Sequence, residues 1–339
     1  MKPFRIVIVG CGGMSHTWVE YALQQNDVEI VALVDLFPET AARLATTYGL
    51  DVPIHTDLRV AIQATGANLV FDVTIPESHF AVTTAALEHG CAVLGEKPMG
   101  VSMEQAHAMN AQAKDCGRSY AIMQNRRYQK QIRAARELIH SGQIGTPGGA
   151  FADFFIGAHF GGFRDAMDHP LILDMAIHTF DQARFLLRSD PVSVYCHEWN
   201  PVGSWYKGNA AAICLFEMSD GSVFSYRGSW CAEGAQTAWE ANWRVTGSLG
   251  TVVWDGADGL YAEVVSPGQP AAFQLHTSRI EPAMSWNGRE GHHGCLDEMF
   301  AALREGRPAE TDSADNVKSV TMVFAAIESA ASQSKVAII

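Results

Sequence analysis

The stretch that decides the fold is residues 5–15, RIVIVGCGGMS. The apolar, β-branched run at 5–9 predicts a buried strand, and the pattern G-x-G-x-x-S follows it directly. Gly10 permits a tight turn, Gly12 lets the backbone approach a pyrophosphate, and the next helix directs its amino-terminal amides at the negative charge. Ser15 replaces the last glycine of the usual pattern and is still small. The stretch therefore predicts a dinucleotide-binding turn.

A second strand provides the acid expected at the adenosine ribose. The apolar run at 29–34 ends in Asp35, which lies 23 positions after Gly12. Its carboxylate would accept hydrogen bonds from both ribose hydroxyls and would repel a 2′-phosphate. Residues 36–38, Leu-Phe-Pro, add no basic side chain. The sequence therefore favours NAD over NADP, with a loop acid or a helix cap as the alternative role of Asp35.

Strand and helix patterns alternate from there to residue 123, which predicts a mainly parallel sheet with helices on both faces. Within this series, Thr74-Ile75-Pro76 turns the chain after the strand at 69–73. The strand at 92–94 leads to Glu96-Lys97-Pro98. Because charged residues are costly inside a buried strand, Glu96 and Lys97 belong at its end, where a parallel sheet opens toward ligand. A surface salt bridge is the alternative.

The pattern changes after residue 149. Strand patterns crowd together at 150–155, 192–198, 211–217, 222–229, 243–246, 251–254 and 260–265. They predict an open, largely antiparallel sheet. A helix over 172–187 places Asp174, His178 and Asp181 on one face, and helices follow at 294–303 and 316–331, the second with Ser313 as its cap. We expect two domains, 1–124 and 125–339.

These features together resemble the Gfo/Idh/MocA oxidoreductases, the relatives of glucose-fructose oxidoreductase and inositol dehydrogenase. The resemblance covers essentially the whole chain. It rests on GCGGM at 10–14, TIPESH at 74–79, EKP at 96–98, NRR at 125–127 and LDMAIHTFD at 173–181. It implies an α/β protein with an amino-terminal Rossmann dinucleotide-binding domain and a carboxyl-terminal α+β domain. It also implies hydride transfer between nicotinamide and a sugar, a cyclitol or a derivative.

The resemblance assigns the site residues. In that family the lysine of E-K-P and the acid and histidine of the helix line the substrate pocket, which implies catalytic roles for Lys97, Asp174 and His178. An imidazole with a pKa near 6.5 can accept the hydroxyl proton, and an ammonium can stabilise the developing alkoxide. Ala176 stands where relatives often have glycine. Cofactor contacts are implied for Gly10, Gly12, Gly13, Met14, Asp35, Thr74, Ile75, Pro76, His79, Glu96, Lys97 and Asn125.

Three further residues are candidates for binding substrate. Arg127 follows the last strand of the first domain, and a helix-start salt bridge is its alternative role. His159 and Arg164 lie in the glycine-rich loop 156–165, which is either a pocket wall or a plain surface loop. Six tryptophans could stack on sugar rings or could serve only sheet packing or a subunit interface: Trp199, Trp205, Trp230, Trp239, Trp243 and Trp286.

Composition excludes several classes of function. The formal charge of −13 and the pI near 5.4 argue against general binding of nucleic acid or of an anionic membrane. No apolar run approaches the roughly 18 residues of a membrane span, and the first residues enter a strand pattern without a leader, so we expect a cytoplasmic protein. The seven scattered cysteines and thirteen histidines show no zinc-site spacing, and we expect no metal.

Two other functions use the same residues. In one, transient oxidation acidifies a neighbouring carbon, a leaving group is eliminated, and the result is glycoside cleavage without net NADH. In the other, a sugar- or nucleotide-sensing relative has lost turnover, although the intact Lys97, Asp174 and His178 argue against it. A broad sheet with one uncovered face also predicts a homodimer or homotetramer through that sheet.

Overall fold

The structure is a computed structural model, and it describes residues 3–266 and 276–338. The chain divides into two compact units. The first comprises Met1–Asn125 and His292–Val320, and the second comprises Arg126–Gly291 and Thr321–Ile339. The first unit contains a parallel sheet and the second a large, mainly antiparallel sheet, so the predicted fold class is confirmed.

The first unit is built on six parallel strands: β1 (Phe4–Val9), β2 (Val28–Val34), β3 (Ile54–His55), β4 (Leu69–Asp72), β5 (Ala92–Gly95) and β6 (Tyr120–Ile122). Its helices are α1 (Ser15–Leu23), α2 (Pro38–Tyr48), α3 (Leu58–Thr65), α4 (Pro76–Glu88) and α5 (Met103–Asp115). The strand order is β3-β2-β1-β4-β5-β6. The order reverses between β1 and β4, and such sheets bind ligands at the carboxyl ends of the strands beside this point.

Gly10 brings the ends of β1 and β4 together. Its φ is +84°, and a Cβ at this position would lie 2.5 Å from the Val73 carbonyl oxygen and 2.9 Å from the Thr74 amide nitrogen. Both the positive φ and this lack of space require glycine. The glycine therefore fixes the approach of the turn after β1 to the turn after β4.

Side chains and proline set the starts of several helices. Asp57 caps α3 by accepting from the Arg59 amide at 2.7 Å, and Pro76 occupies the first turn of α4. The sequence predicts Ser313 as the amino-terminal cap of the last helix, α9 (Ser313–Ser332), and this prediction is wrong. Asp312 caps this helix instead by accepting from the Asp315 amide at 2.8 Å, whereas the Ser313 hydroxyl donates to the side chain of Asn110.

The sequence assigns residues 125–339 to the second domain, but the structure places His292–Val320 in the first unit. This segment contains most of α8 (Gly291–Glu305). Phe300 on α8 packs against the rings of Phe4 and Tyr21 at centroid distances of 5.5 and 5.4 Å. Arg304 donates to Asp27 at 2.7 Å. These contacts join residues that are far apart in the sequence. No local sequence pattern therefore predicts that this segment belongs to the first unit.

The sheet of the second unit has nine strands: β7 (Pro147–Phe155), β8 (Pro191–Trp199), β9 (Ala211–Met218), β10 (Val223–Ser229), β11 (Asn242–Gly247), β12 (Gly250–Trp254), β13 (Leu260–Val265), β14 (Thr277–Ile280) and β15 (Val336–Ala337). Their order is β14-β13-β12-β11-β7-β10-β9-β8-β15. Within the nine strands described for this sheet, β7 and β10 form the one parallel pair. The sequence does not predict the short strands β14 and β15, because neither has a long enough alternation of apolar and polar residues.

The predicted helix over 172–187 has a different start. It begins as a π-helical segment, Leu171–Ala176, and continues as α7 (Ile177–Leu187), every residue of which is buried. Phe180 packs against the rings of Phe216 and Tyr226 at centroid distances of 4.9 and 5.3 Å. The helix therefore covers one face of the sheet. The second unit also contains α6 (Lys130–His140) and the part of α9 that begins at Thr321.

The opposite face of this sheet is open and partly apolar. Phe151, Tyr195, Ile213 and Leu215 are between 44% and 49% exposed. Tyr195 is the register partner of Leu215 on the neighbouring strand, and Ser225 lies in register between Leu215 and Phe151, so these four side chains form one row across the sheet. In the part of the chain that the structure describes, no helix is both long enough and apolar enough to cross a membrane.

Gly10 provides a test of the packing at the sheet edge. We expect Gly10→Ala to lower the free energy of unfolding by about 1–3 kcal/mol, because the added methyl meets the Val73 carbonyl and φ is positive. Urea denaturation monitored by circular dichroism measures the change. The control is Gly12→Ala, since a Cβ at Gly12 meets no atom within 4 Å. Equal stability of the Gly10 variant and the wild type would contradict this packing.

Candidate active site

The turn after β1 leaves room beside its backbone for an anionic group. A Cβ at Gly12 or Gly13 would meet no atom within 4 Å, so both glycines keep the space next to the amino terminus of α1 open. Ser15 is fully buried, and its hydroxyl donates to the Gly12 carbonyl at 2.6 Å. This arrangement fits a pyrophosphate at the helix amino terminus.

Asp35 lies at the end of β2 and braces the same turn. Its Oδ2 accepts from the Cys11 amide at 2.8 Å, and its Oδ1 accepts from the Phe37 amide at 2.9 Å. Each carboxylate oxygen can accept two hydrogen bonds, so both retain capacity for ribose hydroxyls. Burial and the Asp35 charge raise the pKa of the Cys11 thiol to about 12, which keeps it neutral. Leu36 is 76% exposed and adds an apolar surface beside the carboxylate.

Asp72 organises the turn after β4. It is fully buried and accepts from the hydroxyls of Thr74 at 2.6 Å and Thr83 at 3.1 Å, and Nδ1 of His79 lies 3.0 Å from its Oδ1. Burial lowers the pKa of His79, but the Asp72 carboxylate and two further glutamates outweigh burial and raise it above 6.5 overall. His79 and Asp72 therefore form a buried ion pair beneath Thr74.

The end of β5 carries Glu96 and Lys97. Glu96 Oε1 accepts from the indole Nε1 of Trp18 at 2.8 Å, which fixes the glutamate to α1. Lys97 is partly buried, and its bond to Pro98 is cis. After β6, the Asn125 side-chain nitrogen lies 3.2 Å from Nδ1 of His292. The predicted cofactor residues thus follow β1, β2, β4, β5 and β6, all at the carboxyl edge of the sheet.

Arg127, a predicted substrate ligand, forms a buried ion pair in the second unit. Its Nε and Nη2 donate to the two carboxylate oxygens of Asp181 at 2.7 and 2.6 Å. The exposed fractions of the two residues are 4% and 2%. This bidentate pair corresponds to the alternative role of Arg127 as a salt-bridge residue, and it ties the segment before α6 to α7.

Asp174 and His178 lie on either side of the junction between the π-helical segment and α7. Asp174 Oδ2 accepts from Nε of Arg164 at 2.7 Å, so the structure brings these two predicted residues together. Asp174 and His178 are 8% and 6% exposed. Because Asp174 lies within the π-helical segment that ends at Ala176, the regular α-helical spacing that the sequence assumed does not extend to it. Asp174 and Asp181 have different arginine partners, Arg164 and Arg127. π-helical turns in α-helices occur often at functional sites.

His159 occupies a different environment from Arg164. Its ring stacks on Trp205 at a centroid distance of 3.7 Å, and its Nε2 lies 2.7 Å from Glu233 Oε1. The His159 side chain is 60% exposed. The structure therefore places His159 in a surface cluster on the loop after β7, while Arg164 reaches Asp174.

Two buried acids escaped the sequence analysis. Asp72 ends the apolar run of β4 in the same way that Asp35 follows the apolar run of β2. This shared position could have identified Asp72 as a candidate site residue. Glu240 accepts from Gln182 at 2.7 Å and from Gln129 at 2.8 Å, and it is 8% exposed. It lies outside any strand or helix, and nothing in its local sequence predicts a buried carboxylate.

The first unit has the strand order, glycine turn and ribose-type acid of a Rossmann dinucleotide-binding domain. Residues 4–123 match a family model described as "Oxidoreductase family, NAD-binding Rossmann fold". Residues 132–253 match the "GFO/IDH/MocA C-terminal domain". The chain therefore belongs to the Gfo/Idh/MocA oxidoreductase family, which confirms the resemblance, and its first domain is an NAD-binding Rossmann domain.

Two similar relatives are named dehydrogenases, and a solved structure shares the fold. D-apiose dehydrogenase of Rhizobium rhizogenes is 25% identical over 351 residues, covering 98% of this chain and 96% of that protein. D-glucoside 3-dehydrogenase of Escherichia coli is 27% identical over 220 residues, covering 60% of each. The crystal structure of an oxidoreductase from Agrobacterium radiobacter with NAD+, L-tartaric acid and magnesium has a TM-score of 0.84 at 24% identity, with 98% of each chain covered.

The buried ion pair beneath Thr74 makes stability depend on pH. Because the folded pKa of His79 is raised above the unfolded value, its contribution is complete below about pH 6.5 and is lost as pH rises through the folded pKa. We expect the unfolding free energy of the wild type, relative to that of His79→Gln, to fall over this range. Urea titrations at several pH values measure the difference. A difference that stays constant or rises with pH would contradict the pair.

Proposed function

We propose that the protein is an NAD-dependent dehydrogenase that oxidises a secondary hydroxyl of a sugar, a cyclitol or a related polyol. Family membership and the names of the relatives, among them D-apiose dehydrogenase, support this substrate class. The observation that carries the proposal is that the chain matches both domains of the family, and it has Lys97 after β5 of the first unit and Asp174 and His178 around the start of α7 of the second.

The residues of the first unit fit the cofactor. The turn from Gly10 to Met14 would hold the pyrophosphate, Asp35 the adenosine ribose, and Thr74 with its neighbours the continuing nucleotide, with further contacts from Glu96, Lys97 and Asn125. When bound, the nicotinamide accepts the hydride that leaves the substrate carbon. The turn residues need no rearrangement for this role, because the space beside Gly12 and Gly13 is already open.

The assigned groups divide the work of proton transfer. His178 accepts the proton of the reacting hydroxyl, since a neutral imidazole is a suitable base near neutral pH. Lys97 stabilises the alkoxide charge that develops on the oxygen. Asp174 holds a neighbouring hydroxyl, and Arg164 fixes the orientation of this carboxylate through the 2.7 Å hydrogen bond. Burial of Asp174 and His178 keeps both side chains in place.

The assignment of catalytic residues is tested with a panel of sugars and cyclitols at 340 nm with NAD+. We expect His178→Ala and Lys97→Ala each to lower kcat about 100-fold or more, because each removes a group acting on the reacting oxygen. The controls are His107→Ala and Lys114→Ala, which change exposed residues of α5. Unchanged turnover in both site variants would remove the assignment. Release of an aglycone without NADH would instead support oxidation followed by elimination.

We also propose that the enzyme prefers NAD+ to NADP+. The Asp35 charge would repel a 2′-phosphate, and the residues that follow it on the described chain, Leu36 and Phe37, are apolar and exposed. We expect Asp35→Asn to raise the KM for NAD+ about 10- to 100-fold. The ratio of kcat/KM for NAD+ to kcat/KM for NADP+ should become smaller. Asparagine keeps one oxygen for the backbone amides. A wild type that uses both cofactors equally would contradict this preference.

The open face of the nine-stranded sheet supports a third proposal, a homodimer or homotetramer formed through that face. Its exposed row contains Phe151, Tyr195 and Leu215, and a monomer rarely leaves such a row uncovered. We expect the wild type to be oligomeric by light scattering at micromolar concentration. Tyr195→Glu with Leu215→Glu should shift it toward monomer, because charges would be buried at the interface. A monomeric wild type would contradict the proposal.

A further inference from the structure

The loop after β7 carries an exposed aromatic surface, formed with a residue that precedes β11. Phe160 and Phe163 are 60% and 52% exposed, and Trp239 is 44% exposed. Phe160 lies 6.1 Å from Trp239 and 5.9 Å from the buried Trp230 between ring centroids. We call Phe160, Phe163 and Trp239 the aromatic surface. Clustered exposed aromatic rings mark binding surfaces more often than scattered ones do.

Arg164 connects the aromatic surface to Asp174. Its guanidinium lies 4.7 Å from the centroid of the Phe163 ring and 5.5 Å from that of Phe160. Its Nε donates to Asp174, so the orientation of the planar group is fixed. Among residues 3–266 and 276–338, no oxygen accepts a hydrogen bond from Nη1 or Nη2 of Arg164, and the side chain is 32% exposed. These two nitrogens therefore present hydrogen-bond donors to a ligand.

The loop that carries this surface is anchored along its length. Gly157 pairs with Cys231 in an isolated bridge, and a Cβ at Gly157 would lie 2.6 Å from the Ala232 carbonyl oxygen. Tyr206 donates to the Ala158 carbonyl at 3.3 Å, and the Lys207 amide donates to the Asp165 carbonyl at 2.8 Å. The rings are thus held in place before any ligand arrives, which lowers the entropic cost of binding.

The charges around Arg164 favour a neutral ligand. Asp174 already compensates the guanidinium of Arg164, Lys207 pairs with Asp168 at 3.1 Å, and His159 lies 2.7 Å from Glu233. Each of these cationic partners is already matched by a carboxylate, so none of these pairs leaves a cation to compensate an anionic ligand. A neutral sugar ring offers hydroxyl oxygens to Nη1 and Nη2 of Arg164 and an apolar C–H face to the aromatic rings.

We infer that Phe160, Phe163, Trp239 and Arg164 form a subsite for a second, neutral sugar ring. The substrate is then a glycoside whose aglycone is itself a sugar, and the reacting ring lies at Asp174. This inference rests on the proposed function, because that proposal assigns Asp174 to the reacting sugar. It goes further by requiring a ring beyond the one that is oxidised.

Calorimetric binding to the NADH complex of the full chain tests the subsite without requiring turnover. Three matched pairs serve as probes: methyl β-D-glucoside with cellobiose, methyl β-D-xyloside with xylobiose, and methyl β-D-galactoside with lactose. We expect the disaccharide of at least one pair to bind about tenfold more tightly than its methyl glycoside, through stacking and hydrogen bonds. The absence of a preference in all three pairs would overturn the inference.

Variants separate the subsite from the rest of the protein. Phe163→Leu should abolish the preference for the disaccharide and leave the affinity for the methyl glycoside unchanged, whereas Phe163→Tyr should retain the preference. Leu249→Ala, at a residue that is 54% exposed and remote in sequence, is the control. A preference that persists in Phe163→Leu would also overturn the inference. NADH formation from monosaccharides and methyl glycosides reports separately on the proposed function, so the two failures are distinguishable.

Discussion

The carboxyl edge of the parallel sheet depends on a backbone contact that only glycine permits. With no Cβ at Gly10, the turn after β1 meets the Val73 carbonyl, and the turns after β1 and β4 share one surface. Carboxylates at the ends of three strands then brace this edge. Asp35 holds the amides of Cys11 and Phe37, Asp72 holds Thr74, and Glu96 holds the indole of Trp18. The residues proposed to hold the cofactor are therefore positioned by the fold itself.

In the second unit, α7 is buried on all sides and yet carries charged and polar residues. Two of these residues have buried partners: Asp181 accepts from Arg127, and Gln182 donates to Glu240. Removing one partner of a buried ion pair costs about 3–5 kcal/mol, so the Arg127–Asp181 pair resists substitution. A helix held this firmly presents His178 in one orientation, which suits the proton-accepting role proposed for it.

The sequence predicts best where function demands a local pattern. The glycine turn, the acid that ends β2 and the alternation of strands and helices all follow from neighbouring residues, and they define the first unit. The bidentate partner of Arg127, the acid Glu240 and the placement of Phe300 against Tyr21 depend on residues far apart in the chain. The π-helical start of the helix at Leu171 was also beyond sequence reasoning, because a single extra residue per turn changes no apolar periodicity that a short segment can display.

Hydride transfer from a sugar carbon to nicotinamide is the central claim, and isotopic labelling tests it most directly. A sugar or cyclitol deuterated at the oxidised carbon is incubated with the protein and NAD+ in ordinary water, and the NADH formed is analysed by mass spectrometry. If hydride is transferred directly, the deuterium appears in the NADH. Unlabelled NADH, or the complete loss of deuterium to solvent, would contradict it.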